Sequence, residues 1–103
     1  MDLFFLRHGE AETRAPSDAE RRLTPRGEGD VLGVIEARRA ELAGVELIVV
    51  SPYRRALQTA KIAAQTLGFE RELLVTEQLE PGAEPLALFA FIDALDAKSI
   101  LLV

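Results

Sequence analysis

Apolar residues fall along this chain in two rhythms: short unbroken runs, and longer stretches where they recur every three or four positions. The runs predict strands covered on both faces, and the recurring stretches predict helices with one buried stripe. Asp2-Leu3-Phe4-Phe5-Leu6 predicts a first, fully buried strand over 2–6, ended by Arg7-His8-Gly9. Positions 10–23 have no periodicity and contain Pro16, Ser17 and Asp18, which predicts a loop long enough to cover a site.

Thr24-Pro25 predicts a helix start, because the threonine side chain can cap free amides and proline at the first helical position gives up an N–H that has no partner there anyway. That helix is expected to reach Leu42, with Val31, Leu32, Ile35 and Leu42 buried, Glu28, Glu36, Arg38, Arg39 and Glu41 in water, and Gly44 as its stop. Its internal Gly27, Gly29 and Gly33 each weaken it. Val45 to Val50 predicts a second buried strand, and 54–67 a second helix with Leu57, Ala60, Ala64 and Leu67 inward and Gly68 as its stop. Leu73 to Val75 predicts a third strand, 77–84 a loop, Pro85 to Leu95 a third helix, and Ser99 to Val103 a fourth strand.

Strands alternating with helices predict an α/β domain with a largely parallel sheet. In such sheets ligands bind beyond the carboxyl ends of the strands. Arg7-His8 and Ser51-Pro52-Tyr53-Arg54-Arg55 both follow predicted strands, so the two segments should meet on one rim.

Composition narrows the chemistry. The 103 residues allow one modest core and not two domains. No apolar run approaches the roughly 20 residues of a membrane-spanning helix, and no secretory signal precedes the first strand, so the expected setting is cytoplasmic with no membrane partner. The absence of cysteine excludes disulfides, thiolate metal sites and a cysteine nucleophile. A net charge of −5 argues against nucleic acid as a partner, yet five basic residues (Arg7, Arg14, Arg21, Arg22, Arg26) lie in the first 26 positions and Arg54-Arg55 form a second cluster. An acidic chain with local arginine clusters points to a discrete anion pocket.

His8, the one histidine, can act as a nucleophile near neutral pH through an unprotonated ring nitrogen. Taken alone, an isolated histidine is more often a structural hydrogen-bonding residue. Its neighbours favour chemistry: Arg7 can grip phosphate oxygens in pairs, and Gly9, without a Cβ, lets an anion approach the backbone. Arg55 offers a second guanidinium against phosphoryl charge; its plainer reading is a solvated residue in a helix's first turn.

Arg7-His8-Gly9-Glu10, Leu23-Thr24-Pro25-Arg26-Gly27 and Ser51-Pro52-Tyr53-Arg54-Arg55-Ala56-Leu57-Gln58-Thr59-Ala60 resemble, in order and spacing, the successive motifs of the histidine phosphatase superfamily. The resemblance implies a phosphoglycerate mutase-like, three-layer α/β/α sandwich in which His8 is phosphorylated transiently, Arg7 and Arg55 hold the phosphoryl group, and water releases phosphate without metal or cofactor. Arg55, not Arg54, matches the motif arginine. Arg21 matches a further basic residue of the phosphate pocket, and Ser51 is expected to orient its loop or support the phosphate.

Glu10-Ala11-Glu12 and the short linker before the third helix resemble the SixA-type phosphohistidine phosphatases. The implied substrate is a histidine-phosphorylated phosphotransfer protein, with a broad sugar-phosphate phosphomonoesterase and a non-catalytic phosphoprotein-binding module as rival readings. Glu77 and Glu80 fall where larger relatives carry a proton donor; a phosphohistidine, whose imidazole leaves readily, has less need of one. Superfamily members carry a second pocket histidine in a Gly-His motif just after the strand matching Ile100-Leu101-Leu102-Val103. The expectation is therefore a single domain over 1–103, incomplete at its C-terminal side, with weakened phosphoryl binding and some apolar surface left open.

Overall fold

A computed structural model of the chain describes residues 1–103. Its elements are β1 (Asp2–Phe5), α1 (Pro25–Ala37), α2 (Arg39–Leu42), β2 (Leu47–Val50), α3 (Arg54–Leu67), β3 (Leu74–Val75), α4 (Pro85–Ala94) and β4 (Ser99–Leu102), with single 3-10 turns at Asp18–Glu20 and Glu77–Leu79. The strands form one parallel sheet in the order β1-β4-β2-β3, so the last strand in sequence inserts between the first two.

Alternation along the central strands builds three layers, since successive side chains point to opposite faces. Ile48 and Val50 of β2 and Leu101 of β4 pack with Val31 and Ile35 of α1 and with Ala56, Ala60 and Ala63 of α3. Val49, Ile100 and Leu102 join Ile92 of α4 in a second core. The two central strands are almost wholly out of solvent, and each fully buried aliphatic side chain contributes about 1.5–3 kcal/mol. They hold the scaffold on which the loops at their carboxyl ends sit.

Local signals explain the helix ends. Thr24 Oγ1 accepts from the Gly27 amide at 3.0 Å and Pro25 opens α1 as expected. Gly68 ends α3 with φ of 68°, a left-handed conformation, and its amide turns back to the Ala64 and Gln65 carbonyls.

Several expectations need correction. The helix to Leu42 is broken at Arg38, which leaves helical geometry (φ −107°, ψ 12°) and separates α1 from the single turn of α2. The buried row of α1 is Gly27, Val31 and Ile35, spaced by four, and Leu32 lies off that row, exposed. In α3 the buried residues are Arg55, Ala56, Thr59, Ala60 and Ala63, while Leu57, Ala64 and Leu67 are only partly covered. The first strand is not fully buried: β1 pairs only with β4, and Phe5 is 67% exposed. The segment 10–23 is no plain loop, because Ala11 and Leu23 form an antiparallel bridge that pins its base.

Candidate active site

The sheet brings the two basic segments to one rim. β1 delivers Arg7 and His8, and β2 delivers Ser51 and, in the first turn of α3, Arg55. Backbone bonds lock the rim together: Leu6 donates to the Leu102 carbonyl at 2.9 Å and Ser51 to the Val103 carbonyl at 3.0 Å.

His8 is exposed and its ring is held at both nitrogens. Nδ1 lies 2.8 Å from the Gly9 carbonyl, which can only accept, so Nδ1 carries the proton. Nε2 is left with its lone pair and accepts from Arg55 Nε at 3.2 Å. Arg55 itself is buried, 6% exposed, unlike its exposed neighbour Arg54. The reading of Arg55 as a solvated first-turn residue is thus wrong.

A network supports the guanidinium. Arg55 Nη1 donates to the Asp18 carbonyl at 2.8 Å and to its Oδ1 at 3.3 Å, and Nη2 donates to Oδ2 at 3.2 Å. Asp18 also takes Arg21 Nη1 at 3.0 Å, while Arg21 Nε donates to the Glu12 carbonyl at 2.6 Å. These bonds, from Arg21 first and then Arg55, hold the Asp18 carboxyl below the usual aspartate range. Tyr53 lies against the Arg55 guanidinium, 4.9 Å from ring centre to Cζ, a favourable cation–π distance.

Two further residues tie the site to the helices. Thr59 Oγ1 donates to the Arg55 carbonyl at 2.8 Å and accepts from the Gly9 amide at 3.4 Å, and Thr59 is wholly buried. Gln58 Oε1 accepts from the Leu23 amide at 2.7 Å and anchors the far end of the 10–23 segment. Gly9 owes its identity to packing: a Cβ there would meet the Gly27 carbonyl at 2.5 Å and Val31 Cγ2 at 2.9 Å. Gly27 is equally constrained by the backbone of Glu10, so this helix glycine is required by close approach and not merely tolerated.

Of the residues singled out in the sequence, the structure gathers His8, Gly9, Arg55 and Arg21 into one connected set. Arg7 is exposed and borders the same depression as His8, beside Phe5, Glu10, Asp30 and Val34. Ser51 is buried, and its Oγ accepts from the Tyr53 amide at 3.1 Å, a turn-capping bond inside the β2–α3 corner. Asp18 was missed by sequence reasoning. It sits in an aperiodic stretch, and its spacing from Arg21, three residues on, is the only local sign of a pair.

Residues 3–80 match the Histidine phosphatase superfamily (branch 1). The chain belongs to the histidine phosphatase superfamily. Among superfamily members it is 28% identical to the phosphohistidine phosphatase SixA of Escherichia coli (strain K12), over 97% of this chain and 62% of that protein. It is 30% identical to the SixA homolog of Haemophilus influenzae, covering all of this chain and 69% of that one. The chain thus spans less than two thirds of the Escherichia coli relative's length.

Solved structures agree on the fold. The protein histidine phosphatase SixA complexed with tungstate superposes with a TM-score of 0.92 at 28% identity, over 99% of this chain and 67% of that one. A mycobacterial glucosyl-3-phosphoglycerate phosphatase superposes at 0.71 and 19% identity, over 98% of this chain and 74% of that one, which shows the superfamily's shared fold alone.

Proposed function

We propose that this chain carries the phosphoryl-accepting part of a phosphohistidine phosphatase, organised as one histidine phosphatase domain. The observation that carries this reading is the His8 ring itself, proton-bearing at Nδ1 against the Gly9 carbonyl and lone-pair-bearing at Nε2 toward Arg55. A nucleophile needs a nitrogen that carries no proton and, beside it, a cation able to hold the oxygens of the incoming phosphoryl group.

In the proposed reaction Nε2 of His8 attacks phosphorus, forming an N–P bond as the N–P bond of the substrate phosphohistidine breaks. The electron pair returns to the substrate ring, which departs as neutral imidazole because its other nitrogen already carries a proton. Arg55 moves its Nε–H from the lone pair to a phosphoryl oxygen, and Arg7 contributes a second guanidinium from the same rim. Water then attacks the phospho-His8 intermediate, releasing phosphate and restoring the lone pair. Catalysis of this kind is mostly positioning and electrostatics, which two or three fixed guanidiniums can provide. Of these, Arg21 acts from the edge of the pocket, Gly9 lets the loop close tightly, and Ser51 holds the corner that presents Arg55.

The substrate is a histidine-phosphorylated phosphotransfer protein of the cytoplasm, and the reading calls on no cofactor. The similarity to SixA proteins and the acidic overall balance, unsuited to nucleic acid, support it. Neither Glu77 nor Glu80 makes a hydrogen bond or ion pair with Arg7, His8 or Arg55, which suits a substrate that needs little acid assistance.

The test is competition between substrates on the protein at its natural length. Phosphohistidyl protein should be hydrolysed with a kcat/KM well above that for sugar monophosphates. A preference for sugars would replace this reading by a general phosphomonoesterase, and stoichiometric binding without phosphate release would replace it by a binding module.

A further inference from the structure

Asp18 takes no part in the transfer of the phosphoryl group, yet it makes more polar contacts with Arg55 than any other residue does. A guanidinium offers five N–H groups in a rigid planar fork. Asp18 occupies the Nη1/Nη2 end with both carboxylate oxygens, and its own carbonyl adds a third acceptor to Nη1. With that end fixed, the plane cannot swing, and the Nε–H edge is the one turned to His8. Because Arg55 is 7% exposed in its side chain and Asp18 is 55% exposed, the carboxylate comes from the solvent side and closes over a buried cation.

We infer that Asp18 is a positioning residue for phosphoryl transfer, holding Arg55 by its far end so that the Nε edge meets the phosphoryl group on Nε2 of His8. The inference rests on the reading of His8 as the phosphoryl acceptor. Asp18 touches neither His8 nor the phosphoryl group. It acts through Arg55, and through Arg21 it ties the same clamp to the Glu12 carbonyl. A guanidinium misplaced by about 1 Å can reduce turnover by about two orders of magnitude, so an orienting carboxylate beside it has a large lever.

The test compares wild type, Asp18→Asn, Asp18→Ala and Asp18→Glu at natural length, with free N-phosphohistidine as substrate and tungstate as anion probe. Wild type must first label at His8; a failure there overturns the functional reading itself, and the positioning role with it. Given labelling, Asp18→Asn and Asp18→Ala are expected to reduce kcat by about tenfold or more and to weaken tungstate binding. Asp18→Ala should also lower the melting temperature, because it leaves the buried Arg55 guanidinium without its carboxylate, so kcat is compared at a temperature where every variant is folded; Asp18→Glu should recover part of kcat. The Arg55 Nε–H proton signal, shifted by its bond to His8, should collapse toward its solvent-exposed position in Asp18→Ala. Unchanged kcat and tungstate affinity would overturn the inference. Tighter tungstate binding with equal or faster turnover would also overturn it, by showing that Asp18 competes with the anion for Arg55.

Discussion

Arg55 Nε lies 3.2 Å from Nε2 of His8, although the two residues are 47 positions apart and come from different strand ends. The pairing is made possible by the parallel register that places β1 and β2 on either side of β4 with their carboxyl ends on one rim. It joins the one histidine of the chain to its one buried arginine. The orientation of the His8 ring rests on that contact and on the Gly9 carbonyl.

Replacing Arg55 by lysine should be nearly as damaging as replacing it by alanine. An ammonium cannot meet His8 through one edge and Asp18 through the other. Both variants are expected to reduce kcat/KM by roughly 100-fold or more, the scale of losing one preorganised donor to transition-state charge. Steady-state kinetics with phosphohistidine checks this, and a lysine variant within about threefold of wild type would be inconsistent with a two-edged role.

The glycines of α1 and the first loop should separate cleanly. Gly9→Ala places a methyl group against the Gly27 carbonyl and Val31 Cγ2, and is expected to cost about 1–3 kcal/mol. Gly29→Ala meets nothing within 4 Å and should stabilise by up to about 1 kcal/mol through helix propensity. Urea denaturation of the two variants should move the midpoint in opposite directions.

Thr59→Val removes a hydroxyl that is fully buried between the Arg55 carbonyl and the Gly9 amide. The Gly9 N–H then loses its acceptor, with an expected loss of about 1–3 kcal/mol. Thr59→Ser, which keeps the hydroxyl, should recover most of it. A Thr59→Val variant more stable than Thr59→Ser by thermal unfolding would show that the methyl group, not the hydroxyl, holds that position.

Asp18 gives a pH dependence with a definite sign. Its carboxyl is held below the ordinary aspartate value of about 3.9 by Arg21 and Arg55. Between the unfolded and folded values the unfolded chain binds more protons, so stability in that window rises with pH. The contribution is complete above about pH 4 and is lost as pH falls through the lowered folded value. Carboxyl-carbon NMR should find Asp18 titrating below the ordinary aspartate value, with amide protection over 17–22 falling in step. Titration at or above the ordinary value would count against the clamp.

Much of the fold was legible in the sequence because its signals were local. The strand runs of β2 and β4, the Thr24-Pro25 cap and the Gly68 stop each act within a few residues, and each appears where it was expected. The motif residues Arg55 and Thr59 hid the true inner face of α3, since polar side chains in a buried row look like its wet side. Phe5 misled for the opposite reason. Apolar residues state that a position can be covered, and only the strand order reveals that β1 has a neighbour on one side. The partnership of Asp18 with Arg55, at a separation of 37 residues, depends on how the 10–23 segment folds back and has no local signature.

The most direct test of His8 as the nucleophile is to locate the phosphorus. The natural-length protein, mixed with phosphohistidine and quenched in alkali where phosphohistidine survives, should carry one phosphoryl group on Nε2 of His8 by phosphorus-31 NMR and peptide mapping. The signal should be absent in His8→Ala. Phosphorus on Nδ1, or turnover with no phosphorylated His8 at any time, would contradict the claim that the Gly9 carbonyl and Arg55 together present Nε2 as the nucleophile.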